Sequence, residues 1–298
     1  MIPTPKLPPP CGPGDRVGVA ALSGPVDPGK LAAGVESLRR LGFEPVLAGN
    51  ALSRRSYLAG ADEERLAAFH RLAADPEIRA VFFTRGGYGV PRILPGIDWD
   101  LLGRHPKAYV GYSDLTPFLT ALVERLGLVS FHGPLVGGEL ARGLEPEEEA
   151  SLLGALAGLY PVEQPFRGWL REGTCQGPLL GGCLSLLSAT AGTPWFPDLR
   201  GTVVFWEEIN EAPYRVDRML THLRLSGNLA GIAGMIVGHV VDKGDGNVWP
   251  ALVDENLSGY SWPLAWGLPT GHVPQNWTLP LGLSARLDAG SLRMVIGL

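Results

Sequence analysis

Ser113 closes a short apolar run, Ala108-Tyr-Val-Gly-Tyr112, and a helical pattern, Leu115-Thr-Pro-Phe-Leu-Thr-Ala-Leu122, begins at once behind it. A serine at a tight strand-to-helix turn has its hydroxyl lifted off the sheet edge, beside the free N–H groups of a helix start. Acyl transfer needs both an accessible nucleophile and donors for the developing oxyanion. A Ser-Asp pair at a helix start also reads as an ordinary N-cap, so other groups must decide. A hydroxyl needs a base to take its proton, and the base needs an acidic partner. Of the six histidines, His70 and His222 fall in helical patterns and read as surface or packing residues, and His105 lies in a loop before the Ser113 strand. His132 and His239 follow strands, so each could line a cleft. His272 sits in a turn-rich segment, Leu268-Pro-Thr-Gly-His-Val-Pro-Gln-Asn276, where a fixed ionisable group is a better site candidate than one on a helix face. For the acid, Glu207 and Glu208 end an apolar strand. Successive strand residues point to opposite faces, so one can enter a cleft while the other meets solvent. A wholly solvated strand end is the alternative.

A second chemical segment is Thr84-Arg-Gly-Gly-Tyr-Gly89, directly after an apolar strand pattern. Glycines there let main-chain N–H groups approach a ligand closely, although a plain turn would look the same. Arg85, Gly86, Gly87 and Tyr88 of this loop, with Asp114 of the serine turn, are the candidates for oxyanion and substrate contacts. The loop fits neither the dinucleotide nor the Walker pattern. Neither HExxH nor a compact His/Asp/Cys cluster occurs, so no metal and no cofactor is expected.

These residues need a scaffold that brings them together. Arg16–Leu22, Glu44–Ala48, Arg79–Thr84, Ala108–Tyr112 and Leu128–Phe131 read as strands, alternating with helices at Lys30–Leu41 and Asp62–Ala74. Short apolar strands alternating with helices predict βαβ units and a parallel, flavodoxin-like sheet. Ligand sites of such sheets lie at the carboxyl ends of the strands. Both Ser113 and the glycine loop fall there. A helix over residues 143–158 ends this α/β domain, residues 1–158, and residues 159–177 read as a linker. From 178 to 298 the pattern suggests a smaller mixed α/β domain. It has a helix at Gly181–Gly192, a strand at Thr202–Glu208, a helix at Pro213–Leu225, a strand at Gly234–Gly238, and a Gly-, Pro- and Trp-rich tail from Trp262.

At 298 residues the chain is long for one core, and a net charge of −5 gives no field favouring nucleic acid or an anionic membrane. Cys11, Cys175 and Cys183 are odd in number and lack CxxC spacing, which argues for reduced thiols in a cytoplasmic protein. No apolar run reaches membrane-spanning length.

Five segments, in order, resemble the LD-carboxypeptidase family, serine peptidase family S66. They are Gly14-Asp-Arg-Val-Gly-Val-Ala-Ala-Leu-Ser-Gly-Pro25; Thr84–Gly89; Val110-Gly-Tyr-Ser-Asp114 with Phe131-His-Gly-Pro134; Phe205-Trp-Glu-Glu-Ile-Asn-Glu-Ala-Pro-Tyr-Arg-Val-Asp-Arg218; and Gly267-Leu-Pro-Thr-Gly-His272. The resemblance implies Ser113 as nucleophile, Glu207 as acid and His272 as base, with the site in a cleft between two domains. Where the family has Leu/Val-Glu-Asp this chain has Trp206-Glu207-Glu208, so Glu208 stays an alternative acid. It further implies a cytoplasmic homodimer that releases terminal D-alanine from murein tetrapeptide in peptidoglycan recycling. Two other readings stand beside it. One is the microcin-immunity type of the same family, which tends to carry longer insertions. The other is a non-catalytic module binding a small peptide or amino acid in the same cleft.

Overall fold

The computed structural model describes residues 3–159, 163–241, 249–288 and 290–295. Five parallel strands open the chain: β1 (Arg16–Ala20), β2 (Glu44–Leu47), β3 (Ile78–Phe83), β4 (Ala108–Gly111) and β5 (Ser130–His132). Their spatial order is β2-β1-β3-β4-β5, the flavodoxin-like arrangement expected, with the order reversing between β1 and β3. Alternation sorts their side chains. Ala80 and Phe82 enter one apolar cluster, while Val81 and Phe83 enter another on the opposite face.

Helices cover both faces, as a parallel sheet requires. They are α1 (Pro28–Arg40), α2 (Asp62–Ala74), the short α3 (Val90–Ile93) and α4 (Trp99–Arg104), α5 (Thr116–Leu126) and α6 (Pro146–Ala157). The sequence marks their ends. Asp27 caps α1 by accepting from the Lys30 amide at 3.0 Å, Pro28 takes the first position, and Gly127 stops α5 at φ +66°. Arg65 of α2, fully buried, donates to the carbonyl of Leu22 just past β1 and pairs with Asp62 at 2.7 Å. That bond fixes the loop at the point where strand order reverses.

A second sheet of eight strands follows, built from β6 (Glu163–Pro165), β7 (Gly168–Arg171), β8 (Cys175–Cys183), β9 (Val203–Ile209), β10 (Gly234–Val241), β11 (Leu264–Trp266), β13 (Ser284–Asp288) and β14 (Ser291–Val295). Its centre, β8 to β11, is parallel, and the flanking strands are antiparallel. Three helices, α7 (Leu184–Thr190), α8 (Pro213–Leu225) and α9 (Trp249–Asn256), accompany it. The remaining strand, β12 (Leu279–Leu281), leaves this half and pairs antiparallel with β5 at the edge of the first sheet. Pro280 is tolerated there because an edge strand has a side with no ladder to complete. One apolar cluster, running from Phe69, Phe83 and Phe118 to Leu180, Phe205 and Ile236, joins the two halves.

Two expectations change. The stretch read as the helix Gly181–Gly192 is strand β8 as far as Cys183, and its helix begins only at Leu184. Gly181 and Gly182 hold φ +139° and +144°, and a Cβ on Gly182 would lie 2.5 Å from the Thr116 hydroxyl. The small residues serve close approach rather than helix packing. Residues 159–177, expected as a linker, contain β6, β7 and the start of β8, all laddered into the second sheet; residues 160–162 lie outside the described residues.

Candidate active site

Ser113 sits where β4 becomes α5. Tyr112 is extended, and Ser113 then takes φ +65°, a left-handed conformation rare for a residue with a Cβ. Gly111 before it has no room for a side chain, since a Cβ would meet the Phe83 ring at 2.9 Å. Thr116 braces the turn from behind. Its hydroxyl donates to the Ser113 carbonyl at 2.7 Å and accepts from the Cys183 amide at 3.0 Å, tying the serine turn to β8 of the other half. Gly86, in the loop after β3, lies directly on the serine: a Cβ there would fall 2.8 Å from both Cβ and Oγ of Ser113. That loop is tied to the serine turn by the carboxylate of Asp114, which accepts from the Val90 amide at 2.9 Å.

Glu207 and His272 reach the site from the second half. Opposite Glu207, β10 carries one extra residue, for Val237 pairs with Trp206 and Val240 with Glu208. This bulge places Gly238 against the glutamate, where a Cβ would press on Glu207 Cβ at 3.1 Å. Gly271, at φ +110°, brings the next loop equally close. His272 Nδ1 then meets Glu207 Oε2 at 2.7 Å, and its main-chain N–H donates to the same oxygen at 3.2 Å. Nδ1 is thereby engaged, leaving Nε2 for the cavity.

The loop carrying His272 is fastened to the first half. Asn276 accepts from the Gly271 amide at 2.9 Å, and its own amide donates to Glu148 of α6 at 2.8 Å. Arg142 bonds both Glu148 and the Pro274 carbonyl at 2.8 Å. Tyr112 stands edge-on to the His272 ring with centroids 4.7 Å apart, its own hydroxyl donating to Glu139 at 2.7 Å. Burial by itself would lower the pKa of His272. The hydrogen bond and charge of Glu207 outweigh it, and the net shift is upward.

Ser113 and His272 line one cavity of about 290 Å³ at the carboxyl ends of the first sheet, together with Gly86, Gly87, Arg85 and Lys30. Arg85 is anchored by the Pro25 carbonyl at 3.2 Å. A larger, open groove of about 860 Å³ between α8 and α9 is lined by Tyr214, Asp217, Thr221, Glu255 and Ser258 and by no histidine. The smaller space is the one that holds Ser113 and His272 together.

Several expected residues land elsewhere. Tyr88 is half exposed, its ring 5.6 Å from that of Tyr57, and stands outside the cavity wall. The Asp114 side chain is buried in the loop contact above, so only its main chain is near the site. Glu207 and Glu208 do point to opposite faces, but neither meets solvent: they are 0% and 2% exposed. Glu208 accepts from the amides of Ser185 at 2.7 Å and Ile209 at 2.9 Å, away from His272. His132 does not line a cleft, being 1% exposed. His70 accepts from the Asp98 amide, and His222 contacts Ser188. Lys30 and Thr116 were not anticipated. The position of Lys30 in the first turn of α1, the helix that follows β1 where strand order reverses, could have signalled it.

The fold and site define a two-sheet α/β protein that brings a serine from one half to a glutamate-paired histidine from the other. The chain matches the LD-carboxypeptidase N-terminal domain over residues 17–133 and the LD-carboxypeptidase C-terminal domain over residues 176–287. A "probable murein peptide carboxypeptidase" of Bacillus subtilis is 36% identical over 292 residues, covering 95% of this chain and 92% of the relative. The crystal structure of muramoyltetrapeptide carboxypeptidase from Oxalobacter formigenes superimposes with a TM-score of 0.85 at 31% identity, covering 94% of this chain and 97% of that one. The microcin C7 self-immunity protein MccF of Escherichia coli is 26% identical over 322 residues, covering 95% of this chain and 93% of that protein. The chain belongs to the LD-carboxypeptidase family, peptidase family S66, and is a hydrolase of carboxypeptidase type. Among the described residues no helix is long and apolar enough to cross a membrane.

Proposed function

We propose that this chain is a serine carboxypeptidase that releases the terminal D-alanine of a murein tetrapeptide, cutting after the L-centre of its third-position diamino acid. The observation that carries the reading is the 2.7 Å contact of His272 Nδ1 with a fully buried Glu207, on a ring that shares its cavity with Ser113. His272 Nε2 takes the Ser113 proton as Oγ attacks the scissile carbonyl carbon, and Glu207 stabilises the imidazolium that forms. Main-chain N–H groups of the Gly86-Gly87 loop and of Asp114 are the donors for the oxyanion. The tetrahedral species collapses by breaking the C–N bond, and His272 returns its proton to the departing amine of D-alanine. Water, activated by the same histidine, then hydrolyses the acyl-enzyme. Such an enzyme works in peptidoglycan recycling in the cytoplasm, as a homodimer.

A carboxypeptidase must also recognise a free carboxylate about one residue beyond the scissile bond. Arg85, next to the glycine that touches Ser113, and Lys30 across the cavity are the cations placed for it. Charged hydrogen bonds of this kind contribute about 1.5–3 kcal/mol. Arg85→Gln should therefore cut the preference for a free C-terminus over a C-terminal amide by about tenfold or more, read as the ratio of kcat/KM values. An unchanged ratio would assign carboxylate recognition elsewhere.

The base sets the pH profile. Only neutral His272 can accept the serine proton, so activity is lost as pH falls through its pKa. Because that pKa is raised, the acid limb of kcat/KM should have its midpoint above 6.5. A midpoint below 6.5 would mean that Glu207 does not act on the base.

The deciding assay incubates the protein with tri-, tetra- and pentapeptide murein fragments and weighs the products. Loss of one D-alanine from the tetrapeptide alone is expected, and an intact tetrapeptide would end the reading. A microcin-immunity activity draws support from the likeness to MccF. That alignment runs over 322 positions, more than the 298 residues here, so MccF carries insertions this chain lacks. Cleavage of a peptidyl-nucleotide in place of the tetrapeptide would favour it.

A further inference from the structure

His132 is a buried histidine with no part in the proposed reaction. It ends β5, paired with Gly111 of β4 on one side and Leu279 of β12 on the other. Its ring lies edge-on to Phe205, centroids 5.1 Å apart, and 5.3 Å from the ring of Tyr112. Phe205 and Glu207 are two residues apart on β9 and so project from the same face. The ring of His132 is therefore set against the face that carries Glu207.

The two oxygens of Glu207 are unequal. Oε2 takes both the ring and the main-chain N–H of His272, whereas Oε1 is buried and meets no donor among the described residues. Nε2 of His132 is the complementary case, a buried ring nitrogen with no partner among the described residues. Buried polar atoms left unsatisfied cost about 1–3 kcal/mol each, and native structures rarely keep them. A lone acceptor and a potential donor in one enclosed region have an obvious way to avoid that cost.

We infer that His132 is a positioning residue for Glu207, donating from Nε2–H toward Oε1 through one buried water and fixing the rotation of the carboxylate beneath His272. The inference rests on the proposed role of Glu207. The groups around the pair agree with it. Burial lowers the pKa of His132 to about 4, with Glu207 drawing it upward and His272 downward, so at neutral pH the ring is uncharged and carries one N–H. A neutral donor steadies the carboxylate without cancelling the charge that His272 needs. Tyr112 faces the ring of His132 but gives its hydroxyl to Glu139, and the carboxylate of Glu208 is bonded on the opposite face of β9. The thiol of Cys183 lies toward Glu208, with its sulfur 3.6 Å from both carboxylate oxygens.

The test begins on the free wild-type protein with ¹⁵N-labelled histidine. His132 should be neutral and protonated on Nε2 through the neutral pH range; protonation on Nδ1 instead would overturn the inference. His132→Phe keeps a ring of similar volume and removes the donor. Glu207 then keeps more of its charge, and the His272 titration midpoint should rise by about half a unit. On the tetrapeptide, kcat should fall about tenfold with KM unchanged. His132→Gln, which offers an N–H at similar reach, should restore both values. A His272 midpoint that stays at its wild-type value in His132→Phe would overturn the inference even if kcat falls. Tautomer and midpoint are read without substrate, so their failure leaves the assignment of Ser113 and His272 untouched. If His132→Phe does not fold, the wild-type tautomer and His132→Gln still decide.

Discussion

Ser113→Ala is expected to lose turnover by about 10³-fold or more while keeping its fold and its affinity for the peptide. The change removes one hydroxyl from a partly exposed turn. Alanine pays the same penalty as serine for a φ of +65°, and the bond from Thr116 reaches the main-chain carbonyl of residue 113, which the substitution leaves in place. Denaturant midpoints should therefore match within error, and tetrapeptide binding should persist by calorimetry. Retained turnover would remove the serine mechanism altogether. A lost fold would instead show that the turn depends on the hydroxyl.

The paired glutamates should separate into two different defects. Glu207→Gln is expected to lower kcat by about 10³-fold, because an amide cannot stabilise the imidazolium and can hold the wrong tautomer. Glu208→Gln should leave kcat within a few-fold of wild type but destabilise the fold by about 1–3 kcal/mol in urea. The buried Glu208 carboxylate accepts from the amides of Ser185 and Ile209, and the amide side chain would turn an N–H toward one of these donors. Kinetics and unfolding curves of the two variants together make the comparison. The reverse ranking in kcat would transfer the acid role to Glu208.

The parts of the site that could be read in the sequence are those fixed by local pattern. The run from Ala108 into the Leu115–Leu122 helix forces a turn at Ser113. Glycines at 86 and 87, directly behind an apolar strand, mark a backbone that must come close to something. Strand alternation put Glu207 and Glu208 on opposite faces, but it could not say that both would be covered. That depends on the extra residue of β10 and on the loop at Gly271, each set by pairing between distant segments. Gly181 and Gly182 misled for the same reason. Small residues in a row fit a helix locally, whereas their actual use is to let β8 lie against Phe205 and Thr116. The edge strand Leu279-Pro-Leu281 is three residues long and contains proline, so nothing in its own composition announces a strand. Only the open edge of β5 makes it one.

That edge strand also sets a timetable for the protein during synthesis. Six residues separate His272 from the start of β12, and β12 is bonded into the sheet that carries Ser113. The histidine loop is thus strung between the two halves and held at its far end by a strand that the ribosome makes after every other strand of the first sheet. Until Leu281 has emerged, β5 keeps an open edge and His272 has no fixed place over Ser113. A growing chain of this kind carries Ser113 early, on a sheet still open at β5, and brings His272 over it only after β12 has paired. Truncation before Leu279 should accordingly yield a protein without activity and with a sheet edge free to pair with other chains.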